Sequence, residues 1–279
     1  MKRIVTMQDL SCLGKCSLAV VLPVISAMGV ECAVLPTAVL STHTAFPRPA
    51  VTGLDDFAKQ ALDHWQGLNP VFHSILTGYL ANPAQAALAE DLIRRFAGPD
   101  SLVICDPAMG DHGRLYSGIG SDMIDAHRKL CSKANLILPN VTEAALLTGM
   151  SYPETADEDW CRKAGRELFK LGCGSVLMTG LEPAPDKVGF FWTDGNEEFL
   201  WAGDKLPKTC HGTGDLFAAV VAGAMVQGRS ARDAGILAAS FVSRCIDATS
   251  GDSRFGVAFE SQLSWLIQQI ESNIPLFCR

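Results

Sequence analysis

The stretch 208–228, Lys-Thr-Cys-His-Gly-Thr-Gly-Asp followed by Leu-Phe-Ala-Ala-Val-Val-Ala-Gly-Ala-Met-Val-Gln-Gly, holds the residues best suited to chemistry in this chain. Gly212 and Gly214 bracket a turn, Asp215 is the last polar residue before a long apolar run, and Gly228 closes that run. The run is helical in length and rich in alanine, so it predicts a buried helix directly after a glycine turn. A helix start presents unpaired N–H groups and the positive end of the helix dipole, which suits an anion. A carboxylate at that place has two readings. Asp215 caps the helix, or it takes a proton from an alcohol while the amides of the turn hold developing phosphoryl charge. The stretch alone leaves both open.

Further polar groups stand where an apolar segment ends. Asp106-Pro-Ala-Met-Gly-Asp111 sets two carboxylates beyond a buried strand, and Pro107 and Gly110 turn the chain into a loop. Paired acids beside a phosphate site suit Mg2+, which takes one or two carboxylates, waters and substrate phosphate; a turn-capping Asp106 and a solvated Asp111 are the structural alternative. In Pro139-Asn140-Val-Thr-Glu143, Asn140 and Glu143 have capping-box spacing at a helix start. The functional alternative places Glu143 at a magnesium-bound water and Asn140 at a phosphate. Thr179-Gly180 either ends a strand or offers a hydroxyl to a nucleotide phosphate. His43 and His211 each have a structural hydrogen-bonding reading beside a catalytic one, and Cys210 reads as a packed thiol, with reactivity at the helix start as the alternative.

The elements that must position these groups alternate along the chain. Strands are expected at 3–8, 31–39, 74–77, 102–106, 136–138 and 175–179, with helices at 16–28, 84–96, 142–148 and 158–171 between them. That alternation predicts βαβ units and a mostly parallel sheet covered on both faces. Segments 187–193 and 197–201 flank Asp194-Gly195-Asn196, a hairpin signal that adds an antiparallel edge. A closing helix is expected from Glu260 to near Pro275. No linker or repeat interrupts the pattern, so residues 1–279 read as one domain. Sheets of this kind bind ligands beyond the carboxyl ends of their strands, and Asp9, Thr42-His43-Thr44, Gly78-Tyr79, Asp106, Asn140 and Thr179 each follow an expected strand.

Composition sets the outer limits. Hydrophobic residues make up 48% and charged residues 19% of the 279, which fits a globular chain with a large core. A net charge of −7 with scattered Lys and Arg argues against nucleic-acid binding. The opening Met-Lys-Arg-Ile-Val-Thr-Met-Gln-Asp turns polar too soon to read as a secretory signal, and no apolar run reaches membrane-spanning length. The 10 cysteines are spread without a Cys-x-x-Cys pair, which suits reduced thiols in a cytoplasmic protein. Cys12 and Cys16 have helical spacing but no His partners, and no zinc site is expected there.

Together, Thr42-His43-Thr44, Thr77-Gly78-Tyr79-Leu80, Asp106-Pro-Ala-Met-Gly-Asp111, Pro139-Asn140-Val-Thr-Glu143 and Gly212-Thr-Gly-Asp215 resemble the vitamin B6 kinases of the ribokinase-like superfamily. The resemblance runs through nearly the whole chain. It implies a three-layer α/β sandwich and transfer of a phosphoryl group from ATP to the 5′-hydroxymethyl group of pyridoxal, pyridoxamine or pyridoxine. It makes Asp215 the base and Gly212, Thr213 and Gly214 the anion hole. Asp106, Asp111 and Glu143 would organise Mg2+ and its waters, and Asp111, Asn140, Thr179, Gly180 and Thr213 would face ATP. Asp9, Thr44, Tyr79 and Tyr116 would line the vitamer pocket. The resemblance also implies a homodimer, and it leaves a monovalent cation such as K+ as an open further requirement.

Two departures matter. Gln8-Asp9 stands where these kinases often carry Gln-Ser, and Thr42-His43-Thr44-Ala45-Phe46 where they often read Asn-His-Thr-Gly-Tyr. Asp9 brings a negative charge to the ring side, which favours a protonated pyridine nitrogen or an amine. The alternative enzyme is a hydroxymethylpyrimidine kinase of thiamin synthesis, although those relatives commonly carry Cys where this chain has Asp215. The alternative of another class is a non-catalytic vitamer or nucleotide binder. No Walker A lysine stands near the glycine turn.

Overall fold

Strand residues point alternately to opposite faces, and in this chain both faces are apolar. In the first strand Ile4 meets one core while Val5 and Met7 meet the other, and Leu177 is set likewise against Val176 and Met178. The structure, a computed structural model, describes residues 1–272. Nine strands form the main sheet: β1 (Arg3–Leu13), β2 (Glu31–Thr42), β3 (Val51–Gly53), β4 (Phe72–Thr77), β5 (Ala97–Cys105), β8 (Leu136–Ile137), β9 (Val176–Leu181), β10 (Lys187–Thr193) and β11 (Glu198–Asp204). A separate two-stranded ribbon is made by β6 (Gly110–Asp111) and β7 (Arg114–Leu115).

The spatial order is β11-β10-β9-β8-β5-β4-β1-β2-β3. The six strands from β9 to β2 run parallel, and β10, β11 and β3 add antiparallel margins. The expected hairpin is the β10–β11 pair; Asp194 Oδ1 accepts from the Asn196 and Glu197 N–H groups to close its turn. Because β2 lies on one side of β1 and β4 on the other, the chain reverses direction across β1, and the crevice there is where a ligand fits.

One face carries α1 (Leu18–Ala27), α7 (Thr213–Val226), α8 (Ala231–Ala248) and α9 (Leu263–Ser272). The other carries α2 (Asp55–Leu68), α3 (Pro83–Phe96), α4 (Asp122–Cys131), α5 (Val141–Thr148) and α6 (Glu158–Phe169). The ribokinase-like three-layer arrangement expected from the sequence is the one found. Helix α7 is buried almost all round, from Leu216 through Ala224, and Gly228 at φ 99° follows its end. The expected end of the last helix near Pro275 lies outside the described residues. Among those described, no helix is long and apolar enough to cross a membrane.

The first two strands are longer than the apolar runs suggest. β1 continues to Leu13 because it keeps pairing with β2 as far as Thr42. Asp9 therefore does not follow the strand but lies within it, where the register slips between Gln8 and Leu10. Such a bulge re-aims one side chain out of the regular alternation. Cys12 consequently belongs to a strand and Cys16 to the loop ahead of α1, so their helical spacing has no counterpart in the fold.

Candidate active site

The turn before α7 is built around a close approach. Gly212 has φ 80°, and a Cβ there would overlap the Lys15 carbonyl oxygen, so the loop after β1 packs directly on the turn. Gly256, at φ 98°, lies against Lys15 from another side, and the Lys15 N–H donates to the Phe255 carbonyl at 2.9 Å. His43 closes the same corner, with Nε2 2.7 Å from the Arg254 carbonyl oxygen and its ring 4.9 Å from that of His211. The His211 carbonyl accepts from the Val257 N–H at 3.1 Å. Cys210, half-buried, packs against the α7–α8 core.

Asp215 lies in the first turn of α7, facing the loop clamped by these contacts. Burial raises its carboxyl to about 7; the Ser17 backbone N–H opposes that rise and the charge of Asp9 adds to it. Asp9 is buried at the β1 bulge. Its Oδ1 accepts from the Ser17 hydroxyl at 2.5 Å and its Oδ2 from the Ser11 hydroxyl at 3.1 Å. Burial moves Asp9 above the usual carboxylate range against both hydrogen bonds. The same two carboxylates, together with desolvation, push the Cys16 thiol up. Tyr79 feels burial first and then Asp9, which places its phenol on the same side of the crevice.

A second group of acids faces this one. Asp106 follows β5, its N–H donating to the Thr77 carbonyl, and its carboxyl is held well above the usual range by burial and then by the charges of Glu143 and Asp215. Glu143 is raised to about 8 by burial, although amides from Asn140, Met109 and Gly110 stabilise its charged form. Its Oε2 accepts from the Asn140 N–H at 2.9 Å while Asn140 Oδ1 accepts from the Glu143 N–H at 3.0 Å, the complete capping box that the spacing predicts. Asn140 Nδ2 also donates to the Gly110 carbonyl at 2.8 Å, which ties the β6–β7 ribbon to the start of α5. Tyr116 is raised by burial and by four carboxylates, Glu143, Asp111, Asp106 and Asp215.

The fold thus gathers Asp9, Tyr79, Asp106, Asp111, Tyr116, Glu143 and Asp215 at one end of the sheet. Thr179 and Gly180 lie within β9, with Thr179 bridged to Asn140, and the Thr179 N–H donates to the Pro139 carbonyl at 2.9 Å. Thr44 is exposed on the turn after β2. Two acids sit differently from a simple ligand set. Asp111 is exposed on the ribbon, accepting from the His112 N–H at 2.8 Å, and Glu143 commits its oxygens to backbone amides. Among the described residues no cluster of three or more His, Cys, Asp and Glu could hold a metal by itself. The residues fit Mg2+ in another way: Asp106 is a buried carboxylate close to Glu143 and Asp215, and such a group suits an ion that keeps most of its waters and brings phosphate with it.

Sequence reasoning missed Ser11 and Ser17. A serine near a strand end carries no signal of its own, and their partnership with Asp9 exists only once β1 bulges and the following loop folds back to bridge Leu10 with Ser17.

A glycine turn at a helix start, a buried carboxylate beside it and further acids at the carboxyl ends of parallel strands fit a kinase of the ribokinase-like class. The chain belongs to the family described as phosphomethylpyrimidine kinase, whose profile matches residues 22–256 and which lies in that superfamily. It is similar to the pyridoxal kinase of Lactobacillus plantarum, with 32% identity, a TM-score of 0.90, and coverage of 98% of this chain and 99% of that one. A Bacteroides thetaiotaomicron protein assigned as a phosphomethylpyrimidine kinase and crystallised with pyridoxal is similar at 32% identity and TM-score 0.90, covering 99% of this chain and 96% of that one. The pyridoxine/pyridoxal/pyridoxamine kinase of Bordetella pertussis is 29% identical over 259 residues, 88% of this chain and 89% of its own.

Proposed function

We propose that this chain is an ATP-dependent vitamin B6 kinase, a single domain over residues 1–279 that phosphorylates the 5′-hydroxymethyl group of pyridoxal, pyridoxamine or pyridoxine. The observation that carries the reading is the position of Asp215. Its carboxyl, raised to about 7, stands in the first turn of a helix whose N–H groups are free to meet an anion. Similarity to proteins named as pyridoxal kinases supports the choice of substrate.

In this mechanism Asp215 accepts the proton of the vitamer hydroxyl as the oxygen attacks the γ-phosphorus of ATP, and the bond from that phosphorus to the β–γ bridging oxygen breaks to release ADP. The Gly212, Thr213 and Gly214 amides donate to the transferring phosphoryl oxygens. Asn140, Thr179 and Gly180 face the remaining phosphates. Asp106 would hold Mg2+, with Asp111 and Glu143 on the side of its waters, and the ion would supply charge neutralisation for the phosphates. Asp9 and Tyr79 take the ring side of the vitamer, Thr44 its rim, and Tyr116 covers the acids. A homodimer and a cytoplasmic location belong to the same reading.

The family description favours one second reading, phosphorylation of a hydroxymethylpyrimidine. Both substrates present a hydroxymethyl group on a flat heteroaromatic ring, so the same machinery serves either. A non-catalytic binder is separated from both by Asp215→Asn. A kinase loses about a hundredfold or more of kcat, the worth of a general base, while its ATP affinity stays. Unchanged turnover in that variant contradicts the proposal.

A further inference from the structure

We propose that Ser17 is a positioning residue that locks the carboxylate of Asp9 to the loop packed on the turn before α7, fixing the ring end of the substrate site relative to its reacting end. The inference rests on the proposed function of the site, and it begins from a backbone anomaly. Ser17 has φ 52° and ψ −131°, left-handed territory that side chains rarely adopt and that persists where surrounding structure enforces it.

Ser17 also stands at the N-cap of α1. A serine there usually turns its oxygen onto an N–H of the first helical turn. This one makes no such bond. Its hydroxyl instead donates to Asp9 Oδ1 at 2.5 Å, in a loop that packs through Lys15 on the Gly212 turn ahead of Asp215. One residue therefore joins Asp9 to the loop on which the Asp215 turn is packed. The two acids lie on different elements, a strand bulge and a helix start.

The surroundings hold Ser17 in place. The loop before it is packed on Gly212 and Gly256 through Lys15, and a Cβ at Gly14 would strike the His43 ring. The antiparallel bridge between Leu10 and Ser17 brings the hydroxyl to the bulge, where Ser11 secures the other oxygen of Asp9 at 3.1 Å. Ser17 and Asp9 are both nearly sealed from solvent, at 5% and 4% exposure, so water does not substitute freely for the hydroxyl. A serine retained in a conformation better suited to glycine, and diverted from capping, is explained by the work of its hydroxyl.

Two variants separate this role from that of a strained turn residue. Ser17→Gly removes the hydroxyl and relaxes the backbone; Ser17→Ala removes the hydroxyl and keeps the Cβ. Melting temperature and steady-state kinetics with pyridoxal and pyridoxamine are measured for the full chain and both variants. The expected result is that Ser17→Gly melts at or above the wild type, while both variants lose about tenfold in kcat/KM for the vitamer, the worth of one hydrogen bond to a charged group. KM for ATP stays within about twofold in both. Wild-type kcat/KM in Ser17→Ala, or in a Ser17→Gly variant that melts normally, overturns the assignment of Ser17, as does an equal loss of ATP and vitamer affinity. A wild-type protein that turns over no vitamer overturns the functional reading beneath it.

Discussion

Gly212 lies so close to Lys15 that a single Cβ would overlap the Lys15 carbonyl oxygen. The turn bearing the catalytic candidate and the loop bearing Ser17 are thus one packed unit, although nearly 200 positions apart in the chain. Gly212→Ala meets two penalties, the overlap and a φ of 80°. Backbone strain of this kind costs about 1–3 kcal/mol. We expect a measurable fall in melting temperature and at least a tenfold loss of kcat, read by calorimetry and steady-state kinetics. An alanine variant with native melting and turnover would show that the close approach is dispensable.

The pH dependence follows from Asp215. Its carboxyl is raised to about 7, and a base works only when ionised, so kcat/KM is expected to climb as pH rises through about 7 and then level off. The limb belongs to the free enzyme. In Asp215→Asn the residual activity is expected to lose that limb. A wild-type profile flat from pH 5.5 to 8 would exclude this carboxyl as the base.

Asp106 offers a test of stability against function. Its carboxylate is buried beside Glu143 and Asp215, and burial and their charges disfavour ionisation. Raised carboxyls contribute stability below their unfolded value and lose it as pH rises through the folded value, so the nucleotide-free protein bears a growing cost above the ordinary carboxylate range. Asp106→Asn is therefore expected to raise the melting temperature of the nucleotide-free protein at pH 8 while lowering kcat at least tenfold and raising the Mg2+ concentration needed for half-maximal rate. Such opposition is common where a site is kept for function. A variant less stable than wild type and unaltered in its Mg2+ dependence would assign Asp106 a structural role.

Asp9 is expected to act on binding more than on chemistry, since it stands on the ring side. Asp9→Asn keeps the size and an acceptor for Ser17 but removes the charge. KM for pyridoxamine is expected to rise about tenfold with kcat changed less than threefold, the pattern of a lost ground-state contact. An effect confined to kcat would move Asp9 to the reacting end.

Much of this site was legible in the sequence because its residues sit beside strong local signals. The Gly212-Thr-Gly-Asp215 turn precedes an unmistakable apolar helix, and Asn140 and Glu143 have a spacing that specifies their mutual hydrogen bonds. The resemblance supplied the roles that spacing could not. Asp9 was placed just past a strand, yet it lies inside one, because β1 is extended by pairing with β2 and not by its own apolar run. The β6–β7 ribbon has two residues on each side, too few for a periodic pattern. Ser17 was silent for a related reason: its partners are set by a bulge and a loop that return the chain on itself, contacts that no local window contains.

The central claim is that the site phosphorylates a B6 vitamer. The most direct measurement is ATP consumption by the full chain with pyridoxal, pyridoxamine, pyridoxine and hydroxymethylpyrimidine side by side, in the presence of Mg2+. The account predicts turnover of at least one B6 vitamer with kcat/KM well above that for the pyrimidine. Turnover of the pyrimidine alone would contradict it.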